Sequence, residues 1–472
     1  MMLVFSVQGQ SIQRRFSAAL VAVCLALLAP ALPGQGVPPT PQYVEPTAGG
    51  RILVVASDGT RDHRTIAAAY AAALPGDVIR VYPGIYRENL RHVNGVSLSG
   101  MGAAECRIEP ADDAMPALLI EGDTRDSIEN MGFRGNSRIA KGVVITGGRP
   151  TVRGCEFQSF TEAGIEVHGR GTAPTISFNT LSGNAHSGLV FTDRAGGTAE
   201  DNLLTGNGHS GIRVTQQFTT PVLRRNLCRE NRQYGILFQG AAEGIAEDNI
   251  CVLNSHAGIA VSNPLTTPIV QRNTCNSNGM VGILFDQGAE GMALNNTCES
   301  NRESGIRVSQ GGTRPTLRGN VMKQNGQQGL EYTWGAGGTA EGNTMEGNVG
   351  AGVVVANQRT APTLALNTIN GNGEHGIVFK RNAGGAVSGN SVFSNGQSGI
   401  VVMERGTAPS LTDNTIHSNG QHGIAFLEGS AGMAQGNTVY GNGQFGIMRH
   451  AGSTSIVGNN TLRNNGAGDL GS

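Results

Sequence analysis

The stretch TAPTISFNTLSGNAHSGLVF, from Thr172 to Phe191, decides the fold, because it returns as TAPTLALNTINGNGEHGIVF from Thr360 to Phe379. The two copies start 188 positions apart, which is four steps of 47 residues. Prolines mark each of these steps: Pro174, Pro221, Pro268, Pro315, Pro362 and Pro409. A period of this size is typical of a stacked array in which each unit contacts only its neighbours.

Each 47-residue unit contains two shorter repeats. A glycine followed by Ile, Leu or Val recurs at alternating steps of 24 and 23 residues, as at Gly188, Gly211 and Gly235. Within short segments, apolar residues occupy alternate positions, as at Leu189 and Phe191. This period of two predicts strands of three to five residues, and no helical spacing occurs inside the array. Short strands joined by tight bends and stacked on the next copy form a parallel β-helix.

Two asparagines recur in the repeats and predict the corners of each coil. One series runs from Asn179 to Asn437, and the other follows five residues later, from Asn184 to Asn442. Asparagine tolerates left-handed backbone conformations, and its amide can bond to the same residue in the next coil. We therefore predict vertical ladders of asparagines with a structural role.

The residues predicted to face the interior alternate in size from coil to coil. The second inward position after each Gly-Ile corner reads Val167, Phe191, Val214, Phe238, Val261, Phe285, Val308 and Tyr332. Neighbouring coils lie only ~4.8 Å apart, so identical rings at every level would crowd each other. The alternation explains why the 47-residue period is better kept than the shorter one.

With these repeats the chain resembles the right-handed parallel β-helix proteins of the pectin-lyase-like superfamily. Many of them carry the pattern N-T-I-x-x-N-G-x-x-G-I-x-V, which is NTINGNGEHGIVF here, from Asn367 to Phe379. The resemblance covers residues 52–472. It implies an all-β fold, a right-handed single-stranded parallel β-helix (solenoid) of roughly 15–17 coils with an N-terminal capping helix. Because this fold hosts lyases, hydrolases, esterases, epimerases and binding proteins, it does not fix a function.

The N-terminus predicts export. Arg14 and Arg15 precede an apolar run that is too short for a membrane span, which is typical of a secretory signal peptide. We expect a secreted or periplasmic protein. The predicted segments are residues 1–34 as signal peptide, 35–51 as linker, 52–95 as N-terminal cap and 96–472 as β-helix repeats.

The predicted cap combines a helix with the first strands. An Ala-rich helix is expected from Thr65 to Leu74, before Pro75 and Gly76. In the superfamily that the chain resembles, such a helix covers the open end of the first coil. A cover is needed there because an open end exposes core residues and unpaired strand edges.

Charge and motifs exclude several functions. Without Arg14 and Arg15 the chain has 32 basic and 35 acidic residues and no basic block, so nucleic acid is not an expected partner. The catalytic motifs of the related lyases, esterases, epimerases and hydrolases are missing, and we assign no catalytic residue. Calcium would require clustered carboxylates, which the sequence does not provide, so no cofactor is expected.

Cysteines and histidines raise the question of a metal. Cys228, Cys251, Cys275 and Cys298 occupy one row of successive coils that faces the core. Four ligands in a line cannot surround zinc tetrahedrally, and buried free thiols are favoured over disulfides. The row of His186, His209 and His256 is interpreted as part of an exposed turn, although a similarity to periplasmic copper-insertion β-helices keeps metal delivery as an alternative.

Two outward-facing features are candidate sites. Trp334 is the only tryptophan, and it lies near Glu331 and Arg307, which predicts a ligand site for a sugar. The outward row is also unusually apolar at Val354, Val378 and Val401, which indicates an assembly face.

Three functions follow from these patterns. The first is an exported solenoid that binds, or processes, polysaccharide along an outer sheet face. The second is a non-enzymatic structural, adhesive or assembly scaffold that self-associates. The third and weakest is metal delivery. The regular loop lengths favour a protein without catalytic activity, because catalytic β-helices interrupt their repeats with long loops.

Overall fold

The computed structural model describes residues 44–472, except residues 114, 137 and 139. The predicted signal peptide, residues 1–34, and most of the predicted linker lie outside the described residues. The described chain winds into a parallel β-solenoid of about 17 turns with one short helix, as the repeats predicted. In every turn the chain passes through three parallel sheets, called A, B and C, in that order.

The strands of the three sheets are short and follow the repeat. Sheet A contains Ile52–Val55, Val78–Val81, Ser97–Gly100, Ser127–Glu129, Thr151–Arg153, Thr175–Ser177, Thr198–Glu200, Val222–Arg224, Ile245–Glu247, Ile269–Gln271, Met292–Leu294, Thr316–Arg318, Thr339–Glu341, Thr363–Ala365, Ala386–Ser388, Ser410–Thr412, Met433–Gln435 and Ile456–Gly458. Sheet B contains Gly84–Arg87, Cys106–Glu109, Gly132–Arg134, Glu156–Gln158, Thr180–Ser182, Leu203–Thr205, Leu227–Arg229, Ile250–Val252, Thr274–Asn276, Thr297–Glu299, Val321–Lys323, Thr344–Glu346, Thr368–Asn370, Ser391–Phe393, Thr415–His417, Thr438–Tyr440 and Thr461–Arg463. Sheet C contains Leu90–Arg91, Leu118–Ile120, Lys141–Ile145, Ala163–His168, Ser187–Thr192, Ser210–Thr215, Tyr234–Gln239, Ala257–Ser262, Val281–Asp286, Ile306–Ser309, Leu330–Thr333, Val353–Ala356, Ile377–Lys380, Ile400–Val402, Ile424–Phe426, Phe445–Arg449 and Gly468–Gly471.

The N-terminal end carries the helix α1, Ile66–Ala72. Thr65 caps it, since the Thr65 side chain accepts a hydrogen bond from the Ala68 amide at 3.2 Å. The helix buries Ile66, Ala69 and Tyr70 against the first coils. It is shorter than the predicted range of Thr65 to Leu74 because Thr65 is its cap and the chain is already extended at Ala73.

Asparagine ladders line two corners of each coil, the one between sheets A and B and the one between sheets B and C, as predicted. The Asn296 side chain donates to the Val270 carbonyl at 2.8 Å and to the Asn320 side-chain oxygen at 2.9 Å. Its own oxygen accepts from the backbone and the side-chain amide of Asn273, at 2.9 and 3.0 Å. Each asparagine of a file therefore satisfies polar groups of both neighbouring coils, which explains why these side chains are buried.

A left-handed residue precedes each corner asparagine and turns the chain. Asn295 has a φ of 55° before Asn296, and Leu366 has the same φ before Asn367. The equivalent position of another coil is Gly319, with a φ of 65°. Asn, Asp and Gly adopt this conformation with little strain, which accounts for their frequency at these corners.

The interior is one continuous apolar core. The predicted inward row is fully buried, and Val167, Phe191 and Val214 pair in register across adjacent strands of sheet C. Large and small side chains thus alternate along the axis, as the sequence predicted. Tyr332 takes a phenylalanine place in this row, and its hydroxyl has no hydrogen-bond partner among the described residues.

We predict that Asn296→Ala destabilises the protein by about 3 kcal/mol or more, because it leaves Val270 and Asn273 groups buried without partners. Urea unfolding measures this loss. The exposed neighbour Asn295 provides a matched control, since Asn295→Gly keeps the left-handed turn and should change stability by less than about 0.5 kcal/mol. Equal losses in the two variants would contradict the role given to the ladder.

We also predict that Tyr332→Phe stabilises the protein by about 1 kcal/mol, because it removes a buried hydroxyl that lacks a partner. The control is Tyr86→Phe, which should destabilise, since the Tyr86 hydroxyl donates to the Tyr82 carbonyl at 2.7 Å. Thermal unfolding compares both variants with the native protein. A loss of stability in Tyr332→Phe as large as that in Tyr86→Phe would show that the Tyr332 hydroxyl is satisfied.

Candidate functional site

The turns from sheet C to sheet A are the part of each coil that is free to vary. The other two corners consist of a left-handed residue followed by a ladder asparagine. The turns from C to A, here called the C–A turns, contain five to seven residues, as in 334–338, 357–362 and 403–409. They project from one edge of the solenoid, where loops on a rigid scaffold commonly carry binding residues.

A groove lies across three successive C–A turns next to Trp334. Arg314 and Arg359 stand on its two sides, and residues 335–338 form its floor. Its volume is about 350 Å³. Trp334 immediately precedes the floor and is 65% exposed. We call this feature the Trp334 groove.

Hydrogen bonds between the turns make the floor of the Trp334 groove rigid. The Gly335 amide donates to the Thr360 side chain at 2.8 Å, and the Gly337 amide donates to the Thr313 carbonyl at 3.0 Å. Gly338 has a φ of 102°, and a side chain there would collide with the Pro315 carbonyl oxygen. Glycine is therefore required at the place where one turn passes closely over the next.

The two arginines of the Trp334 groove are available to a ligand. Among the described residues, neither Arg314 nor Arg359 forms an ion pair or a side-chain hydrogen bond, and both are exposed. Glu290 is the carboxylate in register with Arg314 on the preceding turn, but it does not approach within ion-pair distance. The groove is thus lined by two uncompensated guanidinium groups, and the exposed Trp334 immediately precedes its floor in the chain.

The structure places Arg307 and Glu331 together but outside this groove. They are in register on the outer face of sheet C, and Arg307 Nε lies 2.6 Å from Glu331 Oε2. Arg307 also pairs with Glu303 at 2.8 Å, and the Ser304 hydroxyl donates to Glu331 at 3.0 Å. Because these charges satisfy one another, the network offers little to a ligand. Of the three predicted ligand residues, Trp334 alone adjoins the groove.

The outer face of sheet C carries a half-buried polar patch, of which the sequence singled out only the histidine row with His209 and His256. The Tyr234 ring lies between His209 and His256, with centroids 5.8 and 5.7 Å away. Burial raises the pKa of the Asp286 carboxyl, although a hydrogen bond from the Ser262 hydroxyl opposes this shift. Burial likewise lowers the pKa of His209. Tyr234, Ser262 and Asp286 were missed because they lie outside that histidine row.

The structure contains no metal centre in the part of the chain that it describes, where no three His, Cys, Asp or Glu side chains are grouped to hold an ion. The cysteines of the predicted row are buried and free, and Cys251 pairs in register with Cys228 and Cys275. Burial raises the pKa of the Cys228 and Cys275 thiols, which keeps them protonated. These thiols therefore pack as apolar groups of the core.

The apolar residues predicted as an assembly face point outward from sheet C. Val354 and Val378 pack with Ala351, Ala356 and Met403 in a cluster that is separate from the core, here called the outer apolar cluster. Val401 follows Val378 in register on the next coil. Neighbouring side chains cover them closely, so that Val354, Val378 and Val401 are 6%, 5% and 1% exposed.

No helix within the described residues has both the length and the apolar character needed to cross a membrane. Compared with known families, the chain matches the right handed beta helix region over residues 116–264, 244–369 and 360–469. No curated protein matches it.

Solved structures with a similar path include three proteins with low identity to this chain. The catalytic unit of a thermostable alpha-1,3-glucanase from Streptomyces thermodiastaticus is 14% identical, with a TM-score of 0.42 over 92% of this chain and 71% of that one. The Dettilon tailspike protein is 17% identical, with a TM-score of 0.45 over 68% of this chain and 66% of that one. Pectate lyase Pel9A is 16% identical, with a TM-score of 0.40 over 64% of this chain and 80% of that one. These likenesses transfer no residue role to this chain.

Proposed function

The chain belongs to the right-handed β-helix family, and we propose that it is an exported member that binds an acidic polysaccharide at the Trp334 groove. Acidic means that the sugar units carry carboxylate or sulfate groups. The proposal concerns binding, because the groove contains no carboxylate that could act as a general acid or base.

One observation carries this proposal: Arg314 and Arg359, whose guanidinium groups have no partner among the described residues, line a groove with a rigid glycine floor that the exposed Trp334 immediately precedes in the chain. A guanidinium group matches the geometry of carboxylate and sulfate oxygens and binds them with two parallel hydrogen bonds. The indole of Trp334 offers a flat apolar surface to the less polar face of a sugar ring. Arg314, Arg359 and Trp334 therefore combine charge recognition with contact to the ring.

The repeated architecture favours a polymer over a single sugar. The C–A turns follow one another along one edge, so a ligand that leaves the Trp334 groove meets further turns in both directions. Arg381 and Arg405 lie on the two turns after Arg359, together with Glu404, which accepts a hydrogen bond from the Arg381 amide at 3.2 Å. Solenoids commonly use such extended surfaces to bind extended ligands.

The network of Arg307 and Glu331 has a supporting role in this proposal. The network fixes the outer face of the sheet C strand Leu330–Thr333, which contains Glu331 and leads directly into Trp334. Glu331 also makes this part of sheet C unattractive to an anionic chain, since Glu303 and Glu331 outnumber Arg307. An acidic polysaccharide is thereby directed to the edge of the solenoid.

We predict that replacing both arginines of the Trp334 groove, Arg314→Gln with Arg359→Gln, weakens binding of polygalacturonate at least tenfold, because each lost charged hydrogen-bond partner costs about 1.5–3 kcal/mol. Trp334→Ala should weaken binding by a similar factor. Isothermal titration calorimetry at low and moderate salt measures both. The matched control is Arg318→Gln, which removes an exposed arginine of sheet A away from the turns and should leave affinity unchanged.

Neutral dextran should not bind, and added salt should weaken the binding of polygalacturonate. Equal losses in Arg318→Gln and in the groove variants would contradict the proposed site. Polymer length is followed in the same samples, because shortening of the polygalacturonate would reveal cleavage and contradict a purely binding function.

A second candidate function is self-association through the outer apolar cluster, although neighbouring side chains already leave Val354, Val378 and Val401 only 6%, 5% and 1% exposed. The cluster lies outside the coil and contains no charged side chain. A second copy of this chain would complete it if the strip of Val354 and Val378 packed against its own counterpart. Self-association and polysaccharide binding use different faces, so each can be tested alone.

If the outer apolar cluster joins two copies, Val378→Lys should convert associated protein to monomer, because a charge would have to be buried between the copies. Sedimentation velocity over a range of protein concentrations measures the association state. Val190→Lys is the control, since Val190 occupies the same outward position of an earlier coil but lies outside the cluster. A native protein that stays monomeric at every concentration would eliminate this candidate.

A further inference from the structure

We propose that a second groove, formed by Arg170, Arg194 and Phe218, holds another segment of the same acidic polysaccharide, so that one polymer is bound at two points of the solenoid. This inference rests on the function proposed for the Trp334 groove and extends it to a two-point binding mode. The second groove, here called the Phe218 groove, also lies across three successive C–A turns and has a volume of about 410 Å³.

The Phe218 groove repeats the chemistry of the Trp334 groove. Each is lined by two arginines from different turns; the exposed ring of Phe218 lines one groove, and the exposed Trp334 precedes the floor of the other in the chain. Phe218 is 52% exposed, and the Arg194 guanidinium lies over its ring, 5.7 Å from the centroid. Among the described residues, neither Arg170 nor Arg194 forms an ion pair. The nearest carboxylate in sequence, Asp193, lies 3.6 Å from His168 Nδ1.

The fold itself does not require an aromatic residue at Phe218. Phe218 has a left-handed backbone with a φ of 64°, a conformation that Leu265, Gly312, Arg359 and Gly406 also adopt at the equivalent place of other turns. A large exposed side chain in this conformation costs energy and gains little packing. Its presence is explained if the ring contacts a ligand.

The backbone holds the Phe218 groove in one shape. The Arg194 amide donates to the side chain of buried Thr219 at 3.0 Å, and the Gly196 amide donates to the Thr172 carbonyl at 2.9 Å. These bonds correspond to those of Gly335 and Gly337 in the Trp334 groove. Both grooves are therefore preformed, which reduces the entropy lost on binding.

The spacing of the grooves suits a polymer. Five coil steps separate the turn of Phe218 from the turn of Trp334, which is roughly 24 Å at the strand spacing. Glu243 and Glu290 lie on turns between them and would repel an anionic chain there. A polymer would thus be bound at two separate points, one in each groove. Once it is bound at the first groove, its high effective concentration near the second groove favours binding there.

The experiment compares short galacturonate oligomers with polygalacturonate. Calorimetry should show two short oligomers per native chain and one per chain for Arg194→Gln/Phe218→Ala. For polygalacturonate this variant should bind at least tenfold more weakly, because two-point attachment is lost. The matched control is Arg153→Gln/Phe178→Ala, which removes another arginine–phenylalanine pair, 4.3 Å apart, at a corner between sheets A and B.

The results separate this inference from the function on which it rests. Arg194→Gln/Phe218→Ala could keep the native oligomer stoichiometry and polymer affinity while the Trp334 groove variants lose them. In that case the binding role of the Phe218 groove is wrong and the proposed function stands. If the native protein binds neither ligand, both proposals fail. Arg170→Gln, a single surface change, repeats the polymer measurement in case the double variant folds poorly, and it should also weaken polymer binding.

Discussion

The structure depends on one constraint, the in-register stacking of coils at the distance of a β-sheet hydrogen bond. Every backbone group of a strand that points along the axis must meet its partner in the next coil, and the asparagine files extend this rule to the corners. A corner residue that bonds upward and downward at once can be replaced only at a high cost. This explains why Asn296 and its equivalents persist while the residues before them vary.

The same constraint decides where binding residues can occur. Two of the three corners are occupied by the asparagine files, and the inward rows are filled by the core. The outer face of sheet C carries an ion network around Arg307 and a closely packed apolar cluster around Val354. The C–A turns can change exposed side chains such as Arg314 and Arg359 without disturbing the stack, and both proposed grooves are found there.

The sequence predicted the repeating parts of the molecule because each of them follows from a period. The asparagine files, the alternation of Val167 with Phe191 and the in-register pair of Arg307 and Glu331 were all predicted from spacing alone. The sequence singled out Trp334 but did not predict the groove. Arg314 and Arg359 are remote in sequence, and their meeting across one turn depends on side-chain directions that a period does not contain. Glu303 likewise closes the network of Arg307 from a corner that the row pattern did not include.

Hydrogen exchange of asparagine side-chain amides tests the stacking constraint most directly. NMR can follow these amides separately from the backbone. The account predicts that the Asn296 and Asn320 carboxamide protons exchange far more slowly than those of exposed Asn295, because they are buried and bonded to the neighbouring coils. Exchange of the ladder asparagines at the rate of Asn295 would contradict it, since the coils would then not be held together by these files.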